Sequence, residues 1–484
     1  MITIRKEISF AFGLFLAYSL PLIIWGGYYI DDYVRVMSGG TGWSNNGRPL
    51  ADLFFFILNF GGVNATVYPL PQLLAIGVMA ITSVLLWRKF IPETGRVGIL
   101  AVSPMMLSPL FLENLSFTYD SVTMALSVLF AILPIIASKH KLLLTFIAIT
   151  ISLCLYQAAL SVFIVFVALI HIINIEKDRS GRYKELFNYV LGMLVSTAIY
   201  YVLIAPAFIN GPYSQKKSQL LKISDPLFFD TLAYNINRYF DLIITSFNGW
   251  LFISIFLACA TSALYIIKTI ANTLQRNGKI KIVDAVFILL ALFAAFLSTI
   301  FPISLLQSPL FSPRVLFGVN AVLASTFIIS ALMLSKATPK LLYSFLVPTF
   351  SFFMISYSYA NAIKNQNIYE SSVIDSMIAD AFSFNNSKNG EIAINGRIAL
   401  SPLNKILVQK EIVINRMIPK MMVDNSYWGG RLLLAKGFTK RIVSETKTAY
   451  IKEHICSFKK VKTSNYYDVF TYGSTVVFDF NKGC

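Results

Sequence analysis

The chain has 484 residues, 56% of them hydrophobic and only 13% charged, with a formal net charge of +17. Soluble domains carry roughly 25% charged residues, so this composition, with a mean hydropathy of +0.66, excludes an ordinary soluble protein and points to a polytopic membrane protein. The positive charge does not indicate nucleic acid: basic residues fall in short loops and in the tail, as membrane topology and anionic headgroups favour, and no basic-aromatic groove module is visible.

In chain order, apolar runs predict about eleven spans, at 8–30, 69–87, 97–112, 120–138, 142–155, 157–173, 186–209, 250–268, 282–301, 316–335 and 341–359. The first follows Arg5 and Lys6. It is too long for a signal-peptide core and lacks a small-residue cleavage site, so it reads as a span with a cytoplasmic N-terminus. Residues 142–173 make a single run, too long for one bilayer crossing and short for two at ~1.5 Å per residue. Tyr156 and Gln157 interrupt it and predict two short helices meeting at an outer polar turn. The inner loops then hold 17 Lys and Arg, Arg276 and Lys279 among them. The outer loops before the tail hold seven, namely Arg35, Arg48, Lys216, Lys217, Lys222, Arg238 and Arg314, in about twice the length, an asymmetry that obeys the positive-inside rule.

Residues 360–484 contain no span. Segments such as "EIAING" and "STVVFDF" read as strands, and "NIYESSVIDSMIADAF" as an amphipathic helix. The expected organisation is therefore a transmembrane module over 1–359 and a small α/β domain over 360–484, which an odd number of spans places outside. Of the four cysteines, Cys154 and Cys259 lie in spans. Cys456 and Cys484 fall in the outer domain, where an oxidising compartment makes them a candidate disulfide.

Polar residues beside apolar segments are expensive and therefore informative. Asp31 and Asp32 stand together after span one, with Arg35 a helical turn away. Adjacent carboxylates repel, and the pair reads either as a solvated helix end or as a site holding a general base. The connector "ENLSFTYD" carries Glu113, Asn114, Tyr119 and Asp120, far more polar chemistry than a turn requires. Arg48 in "NNGRPL" and Arg314 in "QSPLFSPRVLFG" suit bidentate phosphate binding, or serve as snorkelling anchors. Tyr156 and Gln157 either line the same cavity or cap their helices. The three histidines form no ligand cluster, and no nucleotide-binding or nucleophile-elbow motif is present. Any activated donor must therefore arrive through the membrane.

The ordered set "YYIDDYVRVMSGGTGWSNNGRPL" and "ENLSFTYDS" resembles the serotype-converting O-antigen glucosyltransferases of the Gtr type, which carry a glucosyltransferase family II domain. The resemblance implies an all-α GT-C membrane architecture with an outer domain, in the bacterial inner membrane with the C-terminal domain periplasmic. It implies transfer of glucose from undecaprenyl-phosphate glucose to a sugar of the O-antigen by an inverting single displacement. The expected partners are this donor, the O-antigen acceptor, surrounding membrane lipids, and a flippase and a synthase of the donor. No cofactor is demanded, and a divalent metal is compatible but not required. Asp31 matches the base position, with Asp32 as co-base or cation ligand. Arg48 and Arg314 are the fixed cations for the phosphate. Trp43, Tyr119 and Asn114 can offer stacking faces and hydrogen bonds to sugars, with Arg35, Glu113, Asp120, Tyr156 and Gln157 completing the substrate-binding set.

Two other classes compete. A lipid-linked sugar transporter or flippase calls for charges near the bilayer midplane and paired broken helices, whereas the polar residues here crowd one side. An O-antigen polymerase or acyltransferase is the other alternative, and His171, the only histidine within a span, falls at the inner end. The charge asymmetry gives a direct expectation: alkaline phosphatase fused after Asp479 is active in intact cells, and a reporter that folds only in the cytoplasm is silent there. The opposite pair of signals inverts the topology.

Overall fold

The computed structural model describes residues 2–275, 281–384, 390–424, 427–439 and 441–484. Arg276 and Lys279, counted among the inner cations, lie outside the described residues. The chain divides into two compact units, one of Met1–Ile23 with Thr41–Tyr357, the other of Ile24–Gly40 with Ser358–Cys484.

The first unit is a helical body. Among the described residues of the chain, eight helices are long and apolar enough to cross a membrane, and Pro49–Leu58, Asp120–Ile136 and Lys141–Leu155 are shorter apolar helices. Ten of the eleven expected spans are single helices of this kind. The expected span 97–112 is not: it is three short helices, Val97–Val102, Pro104–Leu107 and Pro109–Ser116. Pro104 and Pro109 each open a new helix because proline lacks the N–H that would continue the previous one, and the Ser108 hydroxyl caps the third by accepting from the Leu110 N–H. The helix Pro49–Leu58 had no counterpart among the expected elements. The expected break at Tyr156 separates Lys141–Leu155 from Leu160–Glu176, with Tyr156 in extended backbone.

Burial ranks these helices. In the most apolar stretches of Gln157–Glu176 and Phe317–Ala337, 78% of residues are buried, against 22% in Gly249–Gln275 and 17% in Lys281–Ser304. The first two form the interior. The others present wide apolar faces outward, as helices solvated by lipid do. Gly318 marks the tightest crossing: a Cβ there would lie 2.9 Å from Ser161 Cβ and 2.9 Å from Thr299 Cα. Three helices meet at that point, and one contact is backbone, which cannot swing aside.

The second unit is built on a five-stranded sheet. Its strands are β1 (Glu391–Asn395), β2 (Arg441–Ile442), β3 (Lys459–Thr463), β4 (Asp468–Tyr472) and β5 (Thr475–Asp479), in the order β2-β1-β5-β4-β3. β1 runs parallel to both β2 and β5, whereas β3, β4 and β5 form an antiparallel meander. Alternation along β1 and β5 makes two cores. Ile392, Ile394, Val476 and Phe478 pack with Val373, Ile374 and Met377, while Ala393 and Val477 pack with Ile451 and Ile455 on the other face. The amphipathic helix expected within the tail is not a separate element. It is the end of one 39-residue helix, Leu346–Phe384, continuous with the last span. Cys456 and Cys484 are joined by a disulfide across a Cα–Cα distance of 5.3 Å.

Residues 24–40 belong to this second unit. Tyr29 Oη donates to the Met417 carbonyl at 2.7 Å, and Asn367 Nδ2 donates to the Gly26 carbonyl at 3.4 Å. The segment bearing the two aspartates is therefore packed with the tail.

The crossing at Gly318 yields a test. Gly318→Val lowers the thermal midpoint in detergent, by overpacking worth about 1–3 kcal/mol. Gly77→Ala, in a helix where a Cβ meets nothing within 4 Å, leaves it unchanged or raises it. Equal midpoints for the two variants would remove the close crossing from the account.

Candidate functional site

Eight of the polar residues singled out in the sequence converge in the first unit, and Tyr119 borders them. The helix Pro109–Ser116 carries Glu113 and Asn114 toward the turn Pro313–Val315. Glu113 Oε2 accepts from the Arg314 backbone N–H at 3.0 Å and from the Ser312 hydroxyl, and its other oxygen lies 3.9 Å from Arg314 Nε. The Arg314 carbonyl accepts from Asn114 Nδ2 at 3.1 Å and from Tyr156 Oη at 3.2 Å. Its guanidinium lies over the Phe117 ring, 4.6 Å from the centroid. Pro313 precedes it and fixes the local backbone. Arg314 is thus gripped through its N–H, its carbonyl and its side chain.

Arg48 is held in a parallel way. Its Nη1 pairs with Asp120 Oδ1 at 3.4 Å, its Nε donates to Gln157 Oε1 at 3.4 Å, and its guanidinium lies 4.3 Å from the centroid of the Tyr156 ring. The loop before it is shaped by Gly47, in the left-handed region at φ +74°. Gln157 Nε2 donates to the carbonyls of Asn46 and Gly47, and Tyr200 Oη donates to the Gly47 carbonyl at 2.8 Å. A Cβ on Gly47 would fall 2.5 Å from Tyr200 Oη, so glycine is required on two counts. Asp52 accepts from the N–H groups of Trp43 and Ser44, which seats the start of the loop.

Trp43 and Tyr119 occupy a different environment from the one sugar stacking needs. Both are fully buried. The Trp43 ring stacks on Phe55 with centroids 4.5 Å apart, and Tyr119 meets Phe55 edge-on. Trp43 Nε1 donates to Asp120 Oδ1 at 2.8 Å, so the indole positions the carboxylate that pairs with Arg48. Glu113 and Asp120 are buried as well. Neither is a solvated edge marker, because a buried carboxylate persists only with cations and donors around it.

The remaining residues, Asp31, Asp32 and Arg35, lie in the second unit, and the two aspartates differ sharply. Asp32 is fully buried, and its Oδ2 accepts from the Tyr29 N–H at 2.9 Å. Asp31 is half-buried at the cap of the helix Asp32–Ser38. Its Oδ1 accepts from Trp428 Nε1 at 2.7 Å, and its second oxygen makes no hydrogen bond among the described residues. The helix ends at Gly39, φ +61°, whose N–H donates to the Arg35 carbonyl at 2.8 Å. Between the aspartates and the tail sits Tyr33, whose phenol is pushed up to about 12 by burial first, then by the charges of Glu370 and Asp32. Glu370, itself buried, accepts the backbone N–H groups of Met421 and Met422 at 2.8 Å each.

Sequence reasoning missed Trp428, Ser312, Asp52, Tyr200 and Glu370. Ser312 stands two positions before Arg314 and was within reach of inspection. Trp428 is separated from Asp31 by 397 positions, and no local pattern announces such a bond. Among the described residues, no group of three or more His, Cys, Asp or Glu side chains is gathered to hold a metal ion.

Residues 20–325 match the family model described as glucosyl transferase GtrII. A protein of Salmonella phage P22, described as an uncharacterized 55.3 kDa protein in the gtrB 5' region, is 29% identical over 490 residues, which cover 99% of this chain and 99% of the phage protein. No solved structure matches.

The grip on Arg314 predicts an outcome. Glu113→Ala leaves the Arg314 charge and the Ser312 hydroxyl without their shared acceptor, and costs stability on the order of 3 kcal/mol. Glu113→Gln, which keeps an oxygen acceptor, loses less than half of that. Unfolding midpoints in detergent measure both, and an alanine variant as stable as the native chain would show the pair to be dispensable.

Proposed function

The chain belongs to the glucosyl transferase GtrII family, and from that premise we propose that it transfers glucose from undecaprenyl-phosphate glucose to a sugar of the O-antigen, on the periplasmic face of the bacterial inner membrane. The observation that carries this reading is the pair of guanidiniums, Arg48 and Arg314, each tied to a buried carboxylate and laid on an aromatic face. Such cations are fixed before any ligand arrives. They suit a lipid phosphate, whose charge increases as the bond to glucose breaks.

The chemistry balances without a cofactor. The acceptor hydroxyl oxygen attacks the anomeric carbon of glucose from the face opposite the phosphate. The bond between that carbon and the phosphate oxygen breaks, its electron pair leaves on undecaprenyl phosphate, and the configuration inverts. Arg48 and Arg314 neutralise the leaving phosphate. Asp31 takes the proton released by the acceptor hydroxyl.

The choice of Asp31 over Asp32 rests on what each carboxylate is already doing. Asp32 is fully buried and committed to the Tyr29 N–H. Asp31 is held through one oxygen by Trp428, which orients it and leaves the other oxygen to accept a proton. A general base needs that combination of fixed direction and spare lone pairs. The outer location assigned to the second unit follows from the basic-residue asymmetry of the loops, and that unit is the natural source of acceptor selectivity.

The test compares three variants at matched membrane levels. Asp31→Asn lowers glucosylation of lipopolysaccharide by ~10²–10⁴ and leaves donor binding intact. Arg314→Ala weakens donor binding as well as turnover, because a phosphate partner acts in both ground and transition states. Asp32→Asn reduces the amount of folded protein more than the activity of each folded molecule. Near-native transfer by Asp31→Asn would remove Asp31 as the base. Native mass of the lipopolysaccharide, with no hexose added by the wild-type gene, would remove the proposed reaction.

A further inference from the structure

The helix Tyr427–Ala435, in the second unit, divides its residues between two sides. Gly429 and Leu433, one turn apart, are buried, and Leu433 packs in a core with Ile392, Met422 and Phe438. Gly430 closes against Ile442, where a Cβ would lie 2.8 Å from Ile442 Cδ1. At about 3.6 residues per turn, Tyr427, Trp428 and Arg431 fall within roughly 100° of one another, opposite the Gly429–Leu433 side. That outer side meets the start of the helix Asp32–Ser38, where Trp428 Nε1 donates to Asp31 Oδ1.

Tyr427 is not held by the core. It is 54% exposed. Trp428 meets its ring edge-on, with an interplanar angle of 82° and centroids 6.2 Å apart. The Arg431 guanidinium lies 4.9 Å from the Tyr427 centroid, and Arg431 Nη2 donates to Tyr427 Oη at 3.1 Å. The cation thus braces one face of the ring and the indole borders its edge, which leaves the opposite face to solvent. A guanidinium carries five N–H donors, and among the described residues this one pairs with no carboxylate. An aromatic face and a fork of donors stand side by side, one indole away from Asp31.

We infer that Tyr427 and Arg431 form the acceptor subsite beside Asp31, with the apolar face of a pyranose on the open face of the Tyr427 ring and its hydroxyls accepting from Arg431. This rests on the reading above, in which a sugar hydroxyl is glucosylated with Asp31 as base. The pair of groups decides the class of ligand. A lipid chain would leave the guanidinium donors unmet, and a simple anion would leave the ring face bare. A pyranose has one side of C–H groups for the ring and a rim of hydroxyls for the fork. Trp428 is bonded to Asp31 and edge-on to Tyr427, so a saccharide of two or more rings lying on Tyr427 extends past the indole to the spare oxygen of Asp31. The platform touches no reacting atom. It holds the acceptor equally in the ground and transition states, and so sets KM for the acceptor and not kcat.

The full-length protein in membranes is supplied with undecaprenyl-phosphate glucose, radiolabelled in the sugar, and with O-antigen polysaccharide freed of lipid A from a strain that lacks the gene. Initial rates over a range of polysaccharide concentrations separate KM from kcat. Tyr427→Ala is expected to raise the acceptor KM about ten-fold, the loss of one stacked ring face, with kcat and the donor KM held. Tyr427→Phe keeps the face and recovers most of the acceptor affinity, and Arg431→Gln raises the acceptor KM by itself. Wild-type transfer combined with an unchanged acceptor KM in Tyr427→Ala overturns the subsite and leaves the reaction standing. So does a fall in kcat at native acceptor KM, which would make the ring a brace for Asp31. So does a Tyr427→Phe protein as impaired as Tyr427→Ala, which would show that the ring face is not what binds. Absence of transfer by the wild-type protein removes the reaction, and the subsite with it.

Discussion

The requirement that a buried charge be met from several sides governs the polar end of the helical body. Burying Glu113 to 4% exposure against one cation 3.9 Å away alone would be costly. It is met by a hydroxyl, a backbone N–H and a guanidinium, all from the four residues Ser312 to Val315. Meeting it fixes the turn before one of the two most buried helices, and that turn fixes Arg314. The Arg314 carbonyl then recruits Asn114 and Tyr156, and Tyr156 offers its ring to Arg48. One carboxylate thereby dictates where two arginines stand. Buried ion pairs of this kind are weak evidence for stability, since apolar residues of like volume often serve the fold as well.

The same logic separates two residues that the sequence presents as equals. Asp31 and Asp32 share type and neighbourhood, yet burial and a bond from the Tyr29 N–H make Asp32 structural. Once Asp32 turns inward to the Tyr29 N–H, Asp31 must leave from the other side of the helix start, where Trp428 meets it. Like-charge repulsion is reduced by pointing the two carboxylates into different surroundings. Adjacent aspartates at a helix start are therefore a device for holding one carboxylate at a defined direction by burying its neighbour.

Legibility in the sequence followed the range of the interactions. Apolar runs near the bilayer thickness are local, and the helices appeared where the runs were. The break at Tyr156 was legible because two polar residues interrupt an otherwise unbroken run. Residues 97–112 misled because composition alone looks like a span, while Pro104 and Pro109 redirect the backbone twice within it. The polar residues Glu113, Asn114, Asp120, Tyr156, Gln157 and Arg314 were recognisable because such groups are costly beside apolar segments. Their mutual contacts were not recognisable, since they join positions 158 to 201 apart and depend on how helices pack. The pairing of Trp428 with Asp31 is the extreme case. Likewise the packing of residues 24–40 with the tail cannot be read from a boundary drawn where hydropathy changes.

Trp43 shows why residue type alone is a poor guide to role. An aromatic beside asparagines in a loop suggests a sugar platform. In the fold, its indole is covered by Phe55 and its N–H is spent on Asp120. What decides between the two roles is whether the ring can be buried without stranding its polar atom, and Asp120 supplies that partner. The consequence reaches the chemistry indirectly. Asp120 accepts from Trp43 and from Arg48 through the same oxygen, and one oxygen can accept both, so the buried indole fixes the carboxylate that the guanidinium meets. Gln157 and the Tyr156 ring hold the same guanidinium, so Arg48 is positioned from three sides. Arg314 is likewise gripped at three points.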